Sequence, residues 1–140
     1  IYPWGNEIVS EEKPQCNFWT GEFPYLNTKT DGYYGTAPVK SYQPNEFGLY
    51  DMAGNVWEIC SDWFDEDLYK RINRNKQLIN PVGPKKSFYR RNNFDRYKVI
   101  KGGSFLCSDS YCSSYRSSAR MQQAFDSGQN HVGFRCVKDI

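Results

Sequence analysis

Histidine is almost absent from this sequence, in which His131 is the only one among 140 residues. Zinc ordinarily takes four ligands, mostly cysteine and histidine side chains, and the chain contains no Cys-x-x-Cys pair to supply them. A histidine-rich metal centre or a zinc-finger site is therefore excluded. A lone histidine is more often a structural residue than a ligand, so both roles stay open for His131.

Long apolar runs are also missing, because no stretch approaches the ~18 consecutive apolar residues that a membrane-spanning helix needs. The first residues, Ile1 to Gly5, include neither the basic nor the apolar region of a signal peptide, and residue 1 is not methionine. We expect no membrane span here. We also expect the sequence to be an excerpt of a longer chain.

Neither sign of charge is in large excess, because 18 lysines and arginines stand against 16 aspartates and glutamates, for a net charge of +2. Such a balance gives no indication of a nucleic-acid partner, and we expect none. The basic residues are concentrated between residues 70 and 101, and we interpret about 64–98 as a basic insertion. This segment is either a solvated loop or a docking site for an acidic partner.

Aromatic residues are abundant, at 17% of the chain, although the mean hydropathy is only −0.79. Each aromatic side chain buries roughly 150–250 Å², so a core built on aromatics is stable with few aliphatic residues. A chain of 140 residues has room for one such core. The composition therefore predicts one loop-rich globular domain.

Glycine and proline recur every few residues and exclude long helices from most of the chain. Short runs rich in β-branched or aromatic residues predict strands at Asn55–Ile59, Tyr97–Ile100 and Val132–Val137. A charged segment at Asp65–Asn75 is compatible with a helix that has a thin apolar face. This pattern is typical of an α+β or mainly irregular domain.

Two of the five cysteines, Cys107 and Cys112, lie five positions apart after the glycine pair Gly102 and Gly103. Paired glycines permit tight backbone turning, so both thiols can reach one point. Two converging thiolates are soft ligands that suit a low-coordinate Cu(I) ion. A small-loop disulfide and two unrelated thiols are equally compatible with this spacing.

The run from Gly102 to Arg120, GGSFLCSDSYCSSYRSSAR, resembles the active-site signature of formylglycine-generating enzymes. Five flanking blocks follow that family in order and with similar spacing: YPWGN, NFWTGEFPYLNT, DGYYGTAPV, NEFGLYDMAGNVWE and NHVGFRC. The resemblance covers nearly the whole chain except about residues 64–98. It implies a C-type-lectin-like α+β fold with little regular secondary structure, formed by residues 1–140 as a single, partial domain.

The resemblance also implies a reaction, the copper-dependent, O2-using oxidation of a cysteine in a sulfatase Cys-x-Pro-x-Arg segment to Cα-formylglycine. The expected partners are an unfolded or nascent sulfatase polypeptide and O2. By resemblance, Cys107 and Cys112 bind Cu(I) and are catalytic together with Ser104. The residues that the resemblance assigns to substrate binding are Trp57, Tyr111, Arg120 and His131.

Two calcium sites are a further implication of the resemblance. The first takes the side chains of Asn17 and Asp31 and the carbonyls of Phe18 and Tyr33. The second takes the side chains of Asp51 and Glu58 and the carbonyls of Gly54 and Val56. All of these are hard oxygen donors, the type that Ca²⁺ prefers.

The remaining cysteines fit the family less well. Cys136 matches a cysteine that secreted members join to an upstream residue, whereas Cys16 and Cys60 match no known family role. Because disulfides persist in oxidising compartments, this match favours an extracytoplasmic or secretory location.

Three other functions compete with the oxidase. A non-catalytic C-type-lectin-like binding or assembly module of the same superfamily needs no converging thiols. An iron-dependent sulfoxide synthase requires a histidine cluster, and a thiol–disulfide exchange protein typically has Cys-x-x-Cys spacing. The pair of Cys107 and Cys112 therefore favours the oxidase over all three.

Overall fold

The structure is a computed structural model that describes residues 1–72, 77–92 and 96–138. Its regular elements in these ranges are four strands and one helix, namely β1 (Trp57–Trp63), α1 (Leu68–Arg71), β2 (Tyr97–Lys101), β3 (Met121–Ala124) and β4 (Val132–Gly133). Loops and turns form the rest. The expected α+β fold with little regular secondary structure is confirmed.

The four strands form one sheet in the order β3-β2-β1-β4. The antiparallel pairs are β1 with β2 and β2 with β3, whereas β4 runs parallel to β1 and pairs Trp57 with Val132. The cysteine loop of residues 107–112 lies between β2 and β3 in sequence. The sheet therefore anchors both ends of the segment that contains the two cysteines.

The predicted strand at Asn55–Ile59 is displaced, since β1 begins at Trp57 and continues to Trp63. Asn55 has a φ of 62°, in the left-handed region, and cannot extend the strand toward the N-terminus. The predicted strand at Tyr97–Ile100 is confirmed and includes one more residue.

The other element predictions were less accurate. The predicted strand at Val132–Val137 ends at Gly133, and β3 was not predicted at all. Of the segment Asp65–Asn75, which is compatible with a helix, positions 65–72 are described, and only the four residues of α1 among them are helical. Positions 73–75 lie outside the described residues. In the described part of the chain, no helix is long and apolar enough to cross a bilayer.

The core is small and largely aromatic, as the composition predicts. Its buried members are Cys16, Phe18, Ala53, Trp57, Ile100, Cys107 and Tyr115. The rings of Phe18 and Tyr115 make an edge-to-face contact at a centroid distance of 6.1 Å. Cys107 is itself a core residue, so the first cysteine of the pair is fixed by packing.

The basic segment between residues 70 and 101 contacts acids of its own chain. Arg71 forms an ion pair with Asp65, and Arg90 forms one with Asp67 at 2.6 Å. The two acids lie just before α1, and their carboxylates neutralise part of the positive charge of this segment. The interpretation of the segment as a solvated loop or a docking site stays a prediction. Positions 74 and 76 lie outside the described residues.

Candidate active site

Cys107 and Cys112 are joined by a disulfide, with their Cα atoms 5.3 Å apart. The side chain of Cys107 is 2% exposed, and Cys112 is partly buried against the core cluster. The sulfurs therefore converge where the core meets the surface. A disulfide is one of the alternatives that the spacing left open, and it brings both sulfurs to one point. Two such sulfurs suit a low-coordinate Cu(I) ion once the disulfide is reduced.

Backbone hydrogen bonds fix both ends of the cysteine loop. Cys107 donates its N–H to the carbonyl of Ser104 at 2.9 Å, and its own carbonyl accepts from the N–H of Trp19 at 2.9 Å. At the other end, Cys112 donates to the carbonyl of Ser108 at 3.1 Å. Because these partners are buried, the positions of the sulfurs are set by the framework and not by solvent-exposed contacts.

Gly103 is required by the turn that precedes the loop. Its φ is 74°, and an added Cβ would lie 3.0 Å from the nitrogen of Tyr115 and 3.4 Å from Sγ of Cys107. The glycine pair therefore permits close packing of the backbone under the sulfur, in addition to the tight turn that the sequence predicted.

Ser104 and Trp57 are buried residues of the framework around Cys107 and Cys112. Ser104 is 0% exposed, and its hydroxyl accepts the N–H of Leu106 at 3.3 Å. Trp57 is 5% exposed and belongs to the same core cluster as Cys107. In this structure both residues are framework of the site, whereas their sequence-based roles in catalysis and substrate binding stay predictions.

Tyr111 is the exposed aromatic residue of the loop, with 68% of its surface accessible. Its ring stacks on Phe23 at a centroid distance of 4.4 Å and an interplanar angle of 17°. The Phe23 ring in turn meets Trp19 edge to face at 5.1 Å. Sequence reasoning assigned no role to Phe23 or Trp19, although both lie in the block NFWTGEFPYLNT.

Arg120 is held between two rings, with its guanidinium carbon 4.9 Å from the centre of Phe64 and 4.7 Å from that of Tyr69. One nitrogen donates to the carbonyl of Asp65 at 2.8 Å. The other terminal nitrogen, Nη1, is buried and has no hydrogen-bond partner among the described residues. Arg120 therefore connects the region after the cysteine loop to the segment that precedes α1.

His131 lies immediately before β4, and its carbonyl accepts the backbone N–H of Trp57 at 2.8 Å. Its Nδ1 is 3.1 Å from the side-chain oxygen of Asn130. Burial lowers the pKa of His131 and so favours the neutral imidazole. These contacts give His131 a structural role, and a direct role in substrate binding stays a prediction.

The residues of the first predicted calcium site lie together, and one of their side-chain oxygens has no hydrogen-bond partner among the described residues. Asn17 is 1% exposed, and its Oδ1 is buried without a hydrogen-bond partner among the described residues. The Asp31 carboxylate accepts the N–H groups of Phe18 and Tyr33, each at 3.1 Å. Burial raises the pKa of Asp31 despite these bonds. A buried carboxylate and an unpartnered amide oxygen fit a bound cation.

The residues of the second predicted calcium site line one cavity of about 510 Å³. However, Arg135 donates to both carboxylate oxygens of Glu58, with Nε 2.6 Å from Oε2. It also donates to the carbonyl of Asp51 at 3.0 Å. A calcium ion bonded to Glu58 would have to displace this guanidinium, so the second site fits calcium less well than the first.

Residues 1–140 match the family model described as a sulfatase-modifying factor enzyme 1-like domain. The chain belongs to this family. This sulfatase-modifying factor enzyme 1-like domain is similar to known enzymes. It is 46% identical to the formylglycine-generating enzyme of Thermomonospora curvata over 99% of this chain and 43% of that protein. It is 45% identical to the formylglycine-generating enzyme of Streptomyces coelicolor over 99% of this chain and 40% of that protein.

The solved structure of PvdO from Pseudomonas aeruginosa shares the fold of this sulfatase-modifying factor enzyme 1-like domain, with a TM-score of 0.60 and 25% identity over 93% of this chain and 40% of that chain. The resemblance inferred from the sequence blocks is thus confirmed. The chain spans less than half the length of the two curated relatives.

Proposed function

We propose that this protein oxidises the cysteine of a sulfatase Cys-x-Pro-x-Arg segment to Cα-formylglycine, using copper and O2. Membership of the sulfatase-modifying family supports the class of substrate. The observation that carries the proposal is the pair of Cys107 and Cys112, whose sulfurs converge at the edge of the core. A non-catalytic module of the same fold has no need of such a pair.

In this proposal, Cys107 and Cys112 hold Cu(I) as thiolates, which supplies a soft binding site for the substrate thiolate and the means of activating O2. An external thiol must first reduce the Cys107–Cys112 disulfide to two thiols. Because both side chains bind as thiolates, metal binding releases their protons. The backbone hydrogen bonds at Cys107 and Cys112 fix both ends of the loop in the disulfide form, and we expect them to keep the two sulfurs close after reduction.

The substrate would approach from the side of Cys112, because Cys107 is 2% exposed whereas Tyr111, the neighbour of Cys112, is 68% exposed. The exposed Tyr111 ring offers an apolar face to the peptide beside the reacting thiols. Conversion of the substrate side chain from –CH2SH to –CHO, with water supplying the oxygen and hydrogen sulfide leaving, is a two-electron oxidation. O2 is the proposed oxidant, which takes these two electrons and two more from an external pair of thiols and is reduced to water.

Replacement of either cysteine should abolish this conversion. Full-length protein is reduced anaerobically with dithiothreitol, freed of excess reductant and loaded with Cu(I). A Cys-x-Pro-x-Arg peptide and O2 are then added, and the peptide mass is followed. We expect conversion to the aldehyde mass by the parent protein and at least a ~100-fold loss in Cys107→Ser and in Cys112→Ser, because either change leaves a single sulfur ligand.

Cys60→Ser is the matched control, since Cys60 is a half-buried free cysteine outside the loop of residues 107–112 and its serine variant should retain the activity. A parent protein that binds Cu(I) without converting the peptide would contradict the proposed substrate. A parent protein that does neither would favour the non-catalytic module. Equal loss in the Cys60 variant would contradict a specific requirement for Cys107 and Cys112.

Calcium at Asn17 and Asp31 is a second part of the proposal, supported by the unpartnered Oδ1 of Asn17. Removing calcium with a chelator should destabilise the protein by about 2–3 kcal/mol relative to calcium at a hundredfold excess over its Kd. Asp31→Asn, which removes the charge and preserves the shape, should eliminate this calcium dependence in thermal melts. The exposed Asp126→Asn should preserve it. Equal calcium dependence in both variants would contradict the assignment.

A further inference from the structure

Phe23 lies between two aromatic residues that are attached to opposite ends of the cysteine loop. On one side, its ring makes an edge-to-face contact with Trp19, whose backbone N–H donates to the carbonyl of Cys107 at 2.9 Å. On the other side, it stacks on Tyr111, the residue immediately before Cys112. One side chain thus connects the framework of the first cysteine to the neighbour of the second.

The segment that presents Phe23 is itself closed by hydrogen bonds. Thr28 donates to the carbonyl of Thr20 at 2.9 Å across its base, and the carbonyl of Glu22 accepts two backbone N–H groups, each at 2.8 Å. Gly21 has a φ of 91°, and an added Cβ would lie 2.7 Å from the carbonyl oxygen of Leu26. The position of Phe23 is therefore set by the backbone before any substrate binds.

Tyr111 has few other restraints. Its backbone N–H donates to the hydroxyl of Ser108 at 3.2 Å, while its side chain remains 68% exposed. An exposed tyrosine ring normally samples several rotamers, and stacking on a fixed neighbour selects one of them. Phe23 is that fixed neighbour.

We propose that Phe23 is a positioning residue, which holds the Tyr111 ring and the Cys112 end of the loop in the arrangement that receives the substrate peptide. The proposal rests on the proposed function, because it concerns the same cysteine pair. Phe23 acts through Tyr111. Its loss should therefore weaken peptide binding more than it slows the chemical step.

The test uses Phe23→Ala and Phe23→Leu in full-length protein, with thermal melts to verify folding. Aromatic pairs stabilise an arrangement enough to change its population by about two- to tenfold. We expect KM for the Cys-x-Pro-x-Arg peptide to rise about fivefold while kcat changes less than twofold. Phe23→Tyr keeps the ring and should restore KM. Phe23→Leu keeps most of the apolar volume and serves if Phe23→Ala does not fold.

A second readout is independent of activity. The rate at which dithiothreitol reduces the Cys107–Cys112 disulfide, followed by alkylation and mass, should rise about fivefold in Phe23→Ala because the Cys112 end of the loop is less restrained. If the parent protein does not convert the peptide, the proposed function fails, and this rate alone decides the role of Phe23.

Tyr25→Ala is the matched control, because Tyr25 lies on the same segment and is 83% exposed. It should leave both KM and the reduction rate unchanged. Phe23 variants that match this control in both measurements would overturn the proposal. A fall in kcat with an unchanged KM would overturn it as well, because that result would place Phe23 in the chemical step.

Discussion

Replacing Gly54 with alanine should lower the free energy of unfolding by about 4 kcal/mol, because steric overlap and a left-handed backbone act together. Gly54 has a φ of 71°, and an added Cβ would lie 2.2 Å from the carbonyl oxygen of Asn17. That oxygen also accepts the N–H of Asn55 at 2.8 Å, so it cannot move away freely. Urea denaturation should show a midpoint about 2 M lower.

Gly128→Ala is the control for this prediction, since φ there is not positive and a Cβ at Gly128 would have no heavy atom of another described residue within 4 Å, its two chain neighbours aside. We expect its urea midpoint to equal that of the parent protein. A Gly54→Ala variant as stable as Gly128→Ala would contradict the close approach of Gly54 to Asn17.

Replacing Trp57 with alanine should cost about 3–5 kcal/mol, which is typical of removing a buried tryptophan. Trp57 is 5% exposed and packs in the cluster that contains Cys107 and Ile100. The variant should therefore lose stability and, with it, the support of the first cysteine. A residue that only lined a substrate cavity would lose activity at nearly unchanged stability. Urea denaturation of the variant separates these outcomes.

Trp63→Ala is the comparison, because Trp63 ends the same strand but is only partly buried. Its loss of stability should be less than half that of Trp57→Ala. Trp57→Phe should fall between the parent protein and Trp57→Ala, because it preserves part of the packing. Equal stability of the Trp57 and Trp63 variants would contradict the central position of Trp57 in the core.

Local sequence patterns predicted part of the fold. The strand at Tyr97–Ile100 was recognisable because it combines β-branched residues with a tyrosine. The strand Met121–Ala124 has two glutamines and no β-branched residue, and it is a strand because it pairs with β2. Pairing between distant segments is a property of the fold, so no pattern within those four residues could reveal it.

The candidate site was predicted in the same uneven way. Paired glycines and the cysteine spacing were sufficient to predict that the sulfurs converge, because that depends on one short segment. The contacts among Trp19, Phe23 and Tyr111 join two segments that are far apart in sequence. No pattern within either segment indicates that it packs against the other. The pairing of Arg135 with Glu58 likewise depends on β4 lying beside β1.

The parallel pairing of Trp57 with Val132 has a consequence for the order in which the protein folds. Contacts between residues so far apart in sequence form late, because a long loop must close first. During synthesis, Cys16, Cys60, Cys107 and Cys112 all emerge before the final strand is available. A newly made chain therefore displays these thiols before its sheet is complete.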